Sequence, residues 1–569
     1  MFGFWRRGPA VSSVLKKRGD DLARLAKETF DLLIVGGGIT GAAIARDAAL
    51  RGLSVALIEK GDFASGTSSR SSKLVHGGLR YLKGRHVRLV RESLRERGVL
   101  LKIAPHLVEP APFYLPVYAG GRDGRLKLRL GLTAYDLLAG FGDIGRHTVL
   151  SREKMLEAEP LLRAEGLQGG FRYFDCVVDD ARLTLATVRT AVEQGALAFN
   201  YVEATGLERD GERIAGVSFK DAVGGGSGTA HARVVINAAG PWADRLREMA
   251  GVPGILRPSK GVHLVIPRSR LGLTRVIVIP RLDRILFAVP AGDSVYIGTT
   301  DTDYSDDPGA ALIDPADAAY VLGSANALFP GAALTAADVL AGWAGVRPLV
   351  AKEGTPLPSD VSRDFEIDAA PEGLYTIVGG KLTTCRAMAE ALLDRVIAQE
   401  GMRFGWHPTA CRTSQTAIFG GNVEGFERYA QSAAASLVSS WGLPIETALR
   451  LVRTHGTEHV SLLACARRDA ALLRPLSDTC PVLRAEAVYA AEQEAALTLG
   501  DFMERRTKLM LFDPGHGLDG AEEAARLMGD VLGWSPRERQ RQLALYRDDV
   551  AAMTAFAREP TPALDTASS

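Results

Sequence analysis

Residues 31–59 read DLLIVGGGITGAAIARDAALRGLSVALIE, and this stretch decides the fold. An apolar run ends on glycines, a segment of helical spacing stops at Gly52, and a second apolar run closes on Glu59. The order predicts strand, helix, strand. Gly36, Gly38 and Gly41 have the GxGxxG spacing. The first allows the tight turn, the second lets a pyrophosphate approach, and the third lets helix pack on strand. Ile39 and Thr40 then begin a helix whose free N–H groups and positive dipole end face the phosphates. Glu59, 18 residues beyond Gly41, is placed to accept both ribose hydroxyls. The unit therefore binds a dinucleotide, and on these residues alone NAD and FAD both fit.

Working outward, 569 residues suggest two to four domains. Hydrophobic residues at 46% and charged residues at 24% are globular proportions. A net charge of +1 gives no footprint for a polyanion, so no nucleic-acid partner is expected. Cys176, Cys385, Cys411, Cys465 and Cys480 are scattered without a CxxC pair, which signals neither a metal site nor disulfides and fits a cytoplasmic setting. No apolar run approaches the roughly 20 residues of a membrane span. Residues 1–28 form an N-terminal extension, basic through Arg6, Arg7, Lys16, Lys17, Arg18, Arg24 and Lys27; it reads as a solvated tail or a segment lying on anionic lipid.

Two later runs repeat the buried-strand pattern ending in glycine: RVVINAAG at 233–240, and LYTIVGG at 374–380 before the helix LTTCRAMAEALLDRVIAQE. The class is thus α/β, with a Rossmann-like cofactor domain built from the separated segments 29–110, 178–258 and 350–400. VHLVIP, TRVIVIP, ILFAVP and SVYIGTT alternate as strands of a largely antiparallel sheet, predicting a substrate domain of 111–177 and 259–349 that roofs the cofactor. GGGSG at 224–228 reads as a hairpin loop. Strand patterns fade from about Thr413, which predicts an all-helical C-terminal domain over 405–556 and a flexible tail over 557–569.

After Glu59 comes KGDFASGTSSRSSKLVHGGLRYL, too polar for a core strand and rich in short donors for a second phosphate and a flavin edge. Together with GGGITG and GGKLTTCRAMAE it resembles the FAD-dependent glycerol-3-phosphate dehydrogenases, within the flavoprotein group that includes D-amino acid and glycine oxidases. DDARLT, NAAGPWAD, KGVHLVIP, GTTDTDY and GWAGVRPL continue the resemblance over residues 29–390. Cys385 stands where many members carry an aromatic residue. The resemblance implies FAD held by Gly36, Gly38, Ile39, Thr40, Gly41, Glu59, Lys60, Thr67, Ser68, Ser69, Ser72, Lys73, Leu74, His76, Gly77, Gly78, Ala239, Gly240, Trp242, Gly380, Lys381, Leu382 and Thr383.

It further implies that glycerol 3-phosphate is oxidised at its C2 hydroxyl to dihydroxyacetone phosphate while flavin N5 accepts a hydride. That chemistry requires cations for the phosphate, a base at the hydroxyl and positive potential at the reduced ring. Arg80 and Arg347 match the family's substrate-binding arginines, Lys381 is a third cation, and Arg284 and Tyr81 are further substrate-binding candidates. His263 in GVHLV is the first choice for the base, with His76 in KLVHGG either the base or a holder of flavin or substrate. The helix starting near Leu382 would turn its N-terminus to the flavin.

GRHVRLVRESLRER, residues 84–97, reads as a solvated helix face. Residues 121–142 mix basic residues with leucines and could dip into a membrane interface, where a quinone is reached. Family members are often peripheral on the inner face of the cell membrane and often dimers, so a quinone acceptor, a membrane contact and a homodimer are implied. Alternatives remain open: an oxidase reducing oxygen to hydrogen peroxide, an amine or amino-acid oxidase, and a non-catalytic flavin-binding scaffold.

Overall fold

The computed structural model of the protein describes residues 14–83, 86–121, 123–140, 144–281, 284–351, 363–467 and 469–558. The 31–59 unit folds as its pattern requires, with strand Thr29–Val35, helix Ile39–Leu50 and strand Val55–Ile58. The two strands are parallel, with Leu33 beside Ala56. Ser227–Asn237 pairs parallel on the other side, and Leu374–Gly379 pairs parallel beyond it. Distant segments thus complete one sheet. Leu32, Leu33 and Ile34 are fully buried, as a parallel strand covered on both faces demands. The helices Ile39–Leu50, Asp180–Glu193 and Cys385–Phe404 share one core with it through Ala42, Leu183 and Leu392. The hairpin of Arg213–Asp221 with Ser227–Asn237 turns in the glycine run, where Asp221 N donates to Gly226 O at 2.7 Å.

The second sheet is centred on Leu256–Pro267, which pairs antiparallel with Ser294–Gly298 on one edge and Ala341–Val350 on the other. Ile285–Ala291 and Val276–Pro280 continue it antiparallel. Val276–Pro280 then meets Val108–Tyr118 in parallel, the one departure from the antiparallel pattern among its described strands. Leu74–Val75 also joins this sheet, so the cofactor segment crosses from one sheet to the other. From Phe426 to Thr554 the chain is helical and shares a core with the second sheet through Trp343, Tyr135, Leu462 and Phe502.

Three sequence expectations change. The arginine-rich 84–97 segment opens the helix Val87–Ile103, and its charges are not all solvated: Glu96 and Arg97 are buried, bonded to Arg386 and Asp175 respectively. Charge spacing cannot reveal a buried partner far along the chain. From residue 14 the N-terminal extension is a helix, Val14–Leu25, docked by buried Leu25 and by Arg18, which donates to Asp221 at 2.8 Å. Arg6 and Arg7 lie outside the described residues. The chain stays folded through Arg558, with Phe556 buried, so residues 557 and 558 do not belong to the expected tail; residues 559–569 lie outside the description.

Candidate active site

Between the two sheets lies a cavity of about 2020 Å³. Its floor is the glycine turn. Gly36 has φ +117°, and a Cβ there would stand 2.4 Å from the carbonyl oxygen of Ala238. A Cβ on Gly41 would stand 1.9 Å from the carbonyl oxygen of Gly36, so this glycine serves the helix-to-strand contact rather than the cavity wall. Gly38 is open except towards Ser68 Oγ, to which Ile39 N donates at 2.8 Å. Glu59 closes the second strand, where its carboxylate accepts from Gly37 N at 2.7 Å and Gly61 N at 2.9 Å. Desolvation pushes its pKa up, and those two N–H groups oppose the rise. The helix start, the glycine turn and this carboxylate fit the pyrophosphate and ribose of a dinucleotide.

The segment after Glu59 is a seam between the sheets. Thr67 Oγ1 donates to Val346 O at 2.5 Å, Trp343 Nε1 to Ser71 O at 3.1 Å, and Tyr296 OH to Ser72 O at 3.1 Å. The hydroxyl of Thr67 thus serves structure, tying this segment to the second sheet. Thr67, Ser68, Ser72, Leu74, His76 and Gly78 line the cavity. Lys60 reaches the cavity with its ammonium 3.8 Å from the centre of the Trp242 ring, beside Ala239 and Gly240. Gly380, Lys381, Leu382 and Thr383 line the opposite end, where a 3₁₀ turn Leu382–Thr384 leads into the helix Cys385–Phe404.

Four residues expected at the cofactor stand back from the cavity wall: Gly41, Ser69, Lys73 and Gly77. Lys73 is the clearest case. Its ammonium is buried, donating to Asp180 at 2.7 Å and to Ser69 O at 2.9 Å, because a cation placed in a packed seam needs an opposite charge there. Gly77 instead donates its N–H to Tyr135 OH at 2.8 Å, and Asp175 accepts from both Tyr135 and Arg97. The side chain of Arg80 lies outside the described residues.

On the second sheet, His263 and Arg347 come from neighbouring strands. His263 is buried, stacked on Trp343 at 4.9 Å between ring centres, with Nε2 3.0 Å from Ser72 Oγ and no hydrogen-bond partner at Nδ1. Burial, then the nearby charges of Arg347 and Lys73, hold its pKa well below the usual value, so the imidazole is neutral. Arg347 lies across Gly261, where a Cβ would come within 2.2 Å of its guanidinium. It donates to Thr299 Oγ1 at 2.8 Å, Thr300 O at 3.2 Å and Asp301 Oδ1 at 3.2 Å.

Arg363, absent from the sequence reading, also lines the cavity and donates to Asp301 Oδ2 at 2.8 Å. No local motif marks it; its only signal is a lone arginine before a strand. Lys381 donates to Ser93 Oγ at 3.3 Å and lies 4.0 Å from the centre of the Tyr81 ring. His76 is half-buried, its ring 6.2 Å from that of Phe287. Arg284 lines the cavity further out, 5.2 Å from the centre of the Tyr320 ring. Lining cations thus outnumber lining carboxylates, ten to five among the described residues, which suits an anionic ligand.

Among the described residues there is no metal-ligating cluster, and no helix is long and apolar enough to cross a membrane.

Comparison with known proteins agrees with this geometry. The family described as "FAD dependent oxidoreductase" matches residues 31–395, and "C-terminal domain of alpha-glycerophosphate oxidase" matches 411–539. The chain is 37% identical over 546 residues to the aerobic glycerol-3-phosphate dehydrogenase of Staphylococcus aureus strain MRSA252, covering 94% of this chain and 96% of that one. The crystal structure of glycerol-3-phosphate dehydrogenase from Bacillus halodurans, complexed with FAD, superposes with a TM-score of 0.80 at 33% identity, over 96% of this chain and 99% of the other. Glycine oxidase from Geobacillus kaustophilus shares the fold alone, at TM-score 0.51 and 22% identity over 69% of this chain and 99% of its own. With well over half of its length matched by the one family and nearly all of it by the two glycerol-3-phosphate dehydrogenases, the chain belongs to the FAD-dependent oxidoreductases, in their aerobic glycerol-3-phosphate dehydrogenase branch.

Proposed function

We propose that this protein oxidises sn-glycerol 3-phosphate at C2 to dihydroxyacetone phosphate, with FAD as hydride acceptor and a membrane quinone as the next acceptor. The observation that carries the reading is a neutral, buried His263 in the same cavity as Arg347, Arg363 and Lys381, opposite a dinucleotide cradle. FAD, when bound, supplies the two-electron acceptor at its N5. The guanidiniums of Arg347 and Arg363, held by the shared Asp301, and the ammonium of Lys381 take the phosphate oxygens. The neutral imidazole of His263, oriented by Ser72 Oγ at 3.0 Å from Nε2, takes the C2 hydroxyl proton on its unprotonated ring nitrogen.

The helix Arg125–Ala139 supports a lipid-borne acceptor. Its inner face buries Leu132 and Tyr135, while Leu126, Leu130 and Leu137 are 72%, 64% and 53% exposed among Arg125, Lys127 and Arg129. Lys127, Leu128 and Gly131 line the cavity rim, so a surface wetted by these leucines would bring an acceptor to the opening. Leu126→Ser with Leu130→Ser should abolish co-sedimentation with anionic liposomes; unchanged binding would discard this contact.

Anaerobic addition of glycerol 3-phosphate to the FAD-loaded protein should bleach the flavin. Glycine or a D-amino acid should not. Re-oxidation by quinone much faster than by oxygen supports the dehydrogenase; the reverse would make it an oxidase, the activity named for the family that its C-terminal region matches.

A further inference from the structure

Glu59 lines the cavity, and Asp62, three residues on, is buried against the C-terminal helices. Between them Gly61 carries the geometry of the loop. Its N–H donates to Glu59 Oε1 at 2.9 Å, and its carbonyl accepts from Tyr201 N at 2.8 Å. Glu59 O accepts from Val202 N at 2.8 Å, so the loop 59–62 is stitched along its backbone to residues 201 and 202. The carboxylate that faces the ribose is thus aimed by a backbone N–H whose own position depends on its neighbours.

Asp62 and Tyr201, the residues that flank Gly61 along the chain and across it, are both held by one distant turn. Asp501–Arg506 is π-helical, a form that recurs at functional sites. Its two arginines meet one carboxylate: Arg505 Nε donates to Asp62 Oδ2 at 2.7 Å, and Arg506 donates to both oxygens, at 2.6 Å and 3.0 Å. Asn200 Nδ2 adds a bond to Oδ1 at 3.0 Å. Tyr201, with a φ of +58° that is uncommon outside glycine, donates its hydroxyl to Asp501 Oδ1 at 2.6 Å. Gly61 lies between these two anchors. Charge-assisted, bidentate contacts of this kind fix direction as well as distance.

We propose that Asp62, Arg505 and Arg506 are positioning residues for FAD: the C-terminal helices set the aim of Glu59 through Gly61, and so set the affinity for the adenosine ribose. Ribose bound at Glu59 in turn tightens the 501–506 turn, because a coupling free energy acts equally in both directions. The inference rests on Glu59 as the ribose ligand and is independent of the substrate.

The test is titration of the full-length apoprotein with FAD and with its analogue lacking the adenosine 2′-hydroxyl, read by flavin fluorescence. In the parent protein FAD should bind about tenfold or more tighter than the analogue, the worth of one hydrogen bond to a charged group. Asp62→Asn should raise the FAD dissociation constant about tenfold, and the preference over the analogue should shrink to about twofold. Arg506→Gln should move both in the same direction by less, since Arg505 and Asn200 still hold Asp62. A clasp that merely holds the domains together would weaken both ligands alike and leave their ratio at the parental value. That result would overturn the proposal, as would unchanged constants. Amide exchange in the parent protein decides the matter if neither variant folds: FAD should slow exchange across 501–506 about threefold or more, and the analogue should slow it less. Equal exchange with and without FAD would overturn the coupling. A parent protein that binds the two ligands equally would instead remove Glu59 from the ribose, and the inference with it.

Discussion

Ser72 Oγ and His263 Nε2 stand 3.0 Å apart, joining the cofactor segment to the second sheet through the imidazole itself. His263→Asn should slow flavin reduction by about 10²- to 10⁴-fold with FAD still bound. Ser72→Ala removes one hydrogen bond and should cost up to about tenfold in the same step. Single-turnover bleaching measures both, and an unimpaired His263→Asn would remove this residue from proton transfer.

The acid limb of the pH profile follows from the same ring. Burial, Arg347 and Lys73 lower the pKa of His263 well below its usual value, so the base stays deprotonated as pH falls through about 6.5. The bleaching rate at saturating substrate should therefore hold between pH 7 and 6, where an exposed histidine would lose much of its base form. The linked stability runs the same way: the unfolded chain binds a proton below about pH 6.5 that the folded one refuses, so folding weakens towards acid from that point. A rate limb centred near 6.5 would contradict the neutral buried ring.

Gly261 leaves room for the Arg347 guanidinium, which a Cβ would meet at 2.2 Å. Gly261→Ala should displace the guanidinium and raise the substrate requirement about 10- to 100-fold, the worth of one or two charge-assisted hydrogen bonds. FAD content should stay normal. Steady-state kinetics with glycerol 3-phosphate give the answer, and an unchanged KM would separate Arg347 from the phosphate.

Gly41 tests the cofactor cradle independently. A Cβ there would fall 1.9 Å from the Gly36 carbonyl oxygen, so Gly41→Ala must push the helix off the strand. The purified variant should be colourless, and added FAD should not restore flavin absorbance.

Asp62 ties the cofactor domain to the C-terminal helices. It accepts from Arg505 at 2.7 Å and from Arg506 at 2.6 Å, all three groups buried. Asp62→Ala removes the carboxylate shared by two buried guanidiniums, leaving Arg505 to Asp501 and Glu504 and Arg506 to Glu494, and should cost about 2–3 kcal/mol, read as a lower Tm. Those cations hold the carboxyl at about 2, below the usual range, so its contribution is present above about pH 4 and is lost as pH falls through about 2.

Much of the site could be read from short motifs because backbone constraints are local. GGGITG followed by a helix specifies a phosphate turn wherever it sits; His263 and Arg347 each lie in a motif within a strand, and Lys381 lies in one at the start of a helix. Arg363 had no such signal. Its place in the cavity depends on Asp301, which holds it together with Arg347. Lys73 shows the opposite error: a polar segment expected to hold the cofactor sends its one buried ammonium to Asp180, away from the cavity.

By itself the sequence determined the strand–helix–strand unit, the parallel core to which distant apolar runs had to return, and the residue types for hydride chemistry on a phosphate ester. The first two follow from periodicity and from the conformations that glycine alone adopts readily; the third followed from the family resemblance of the motifs. Only the tertiary structure decided that Glu96 and Arg97 are buried, that Gly261 clears a path for Arg347, and that Arg347 and Arg363 share Asp301. Burial and pairing depend on contacts between residues far apart in the chain, and no local pattern carries that information.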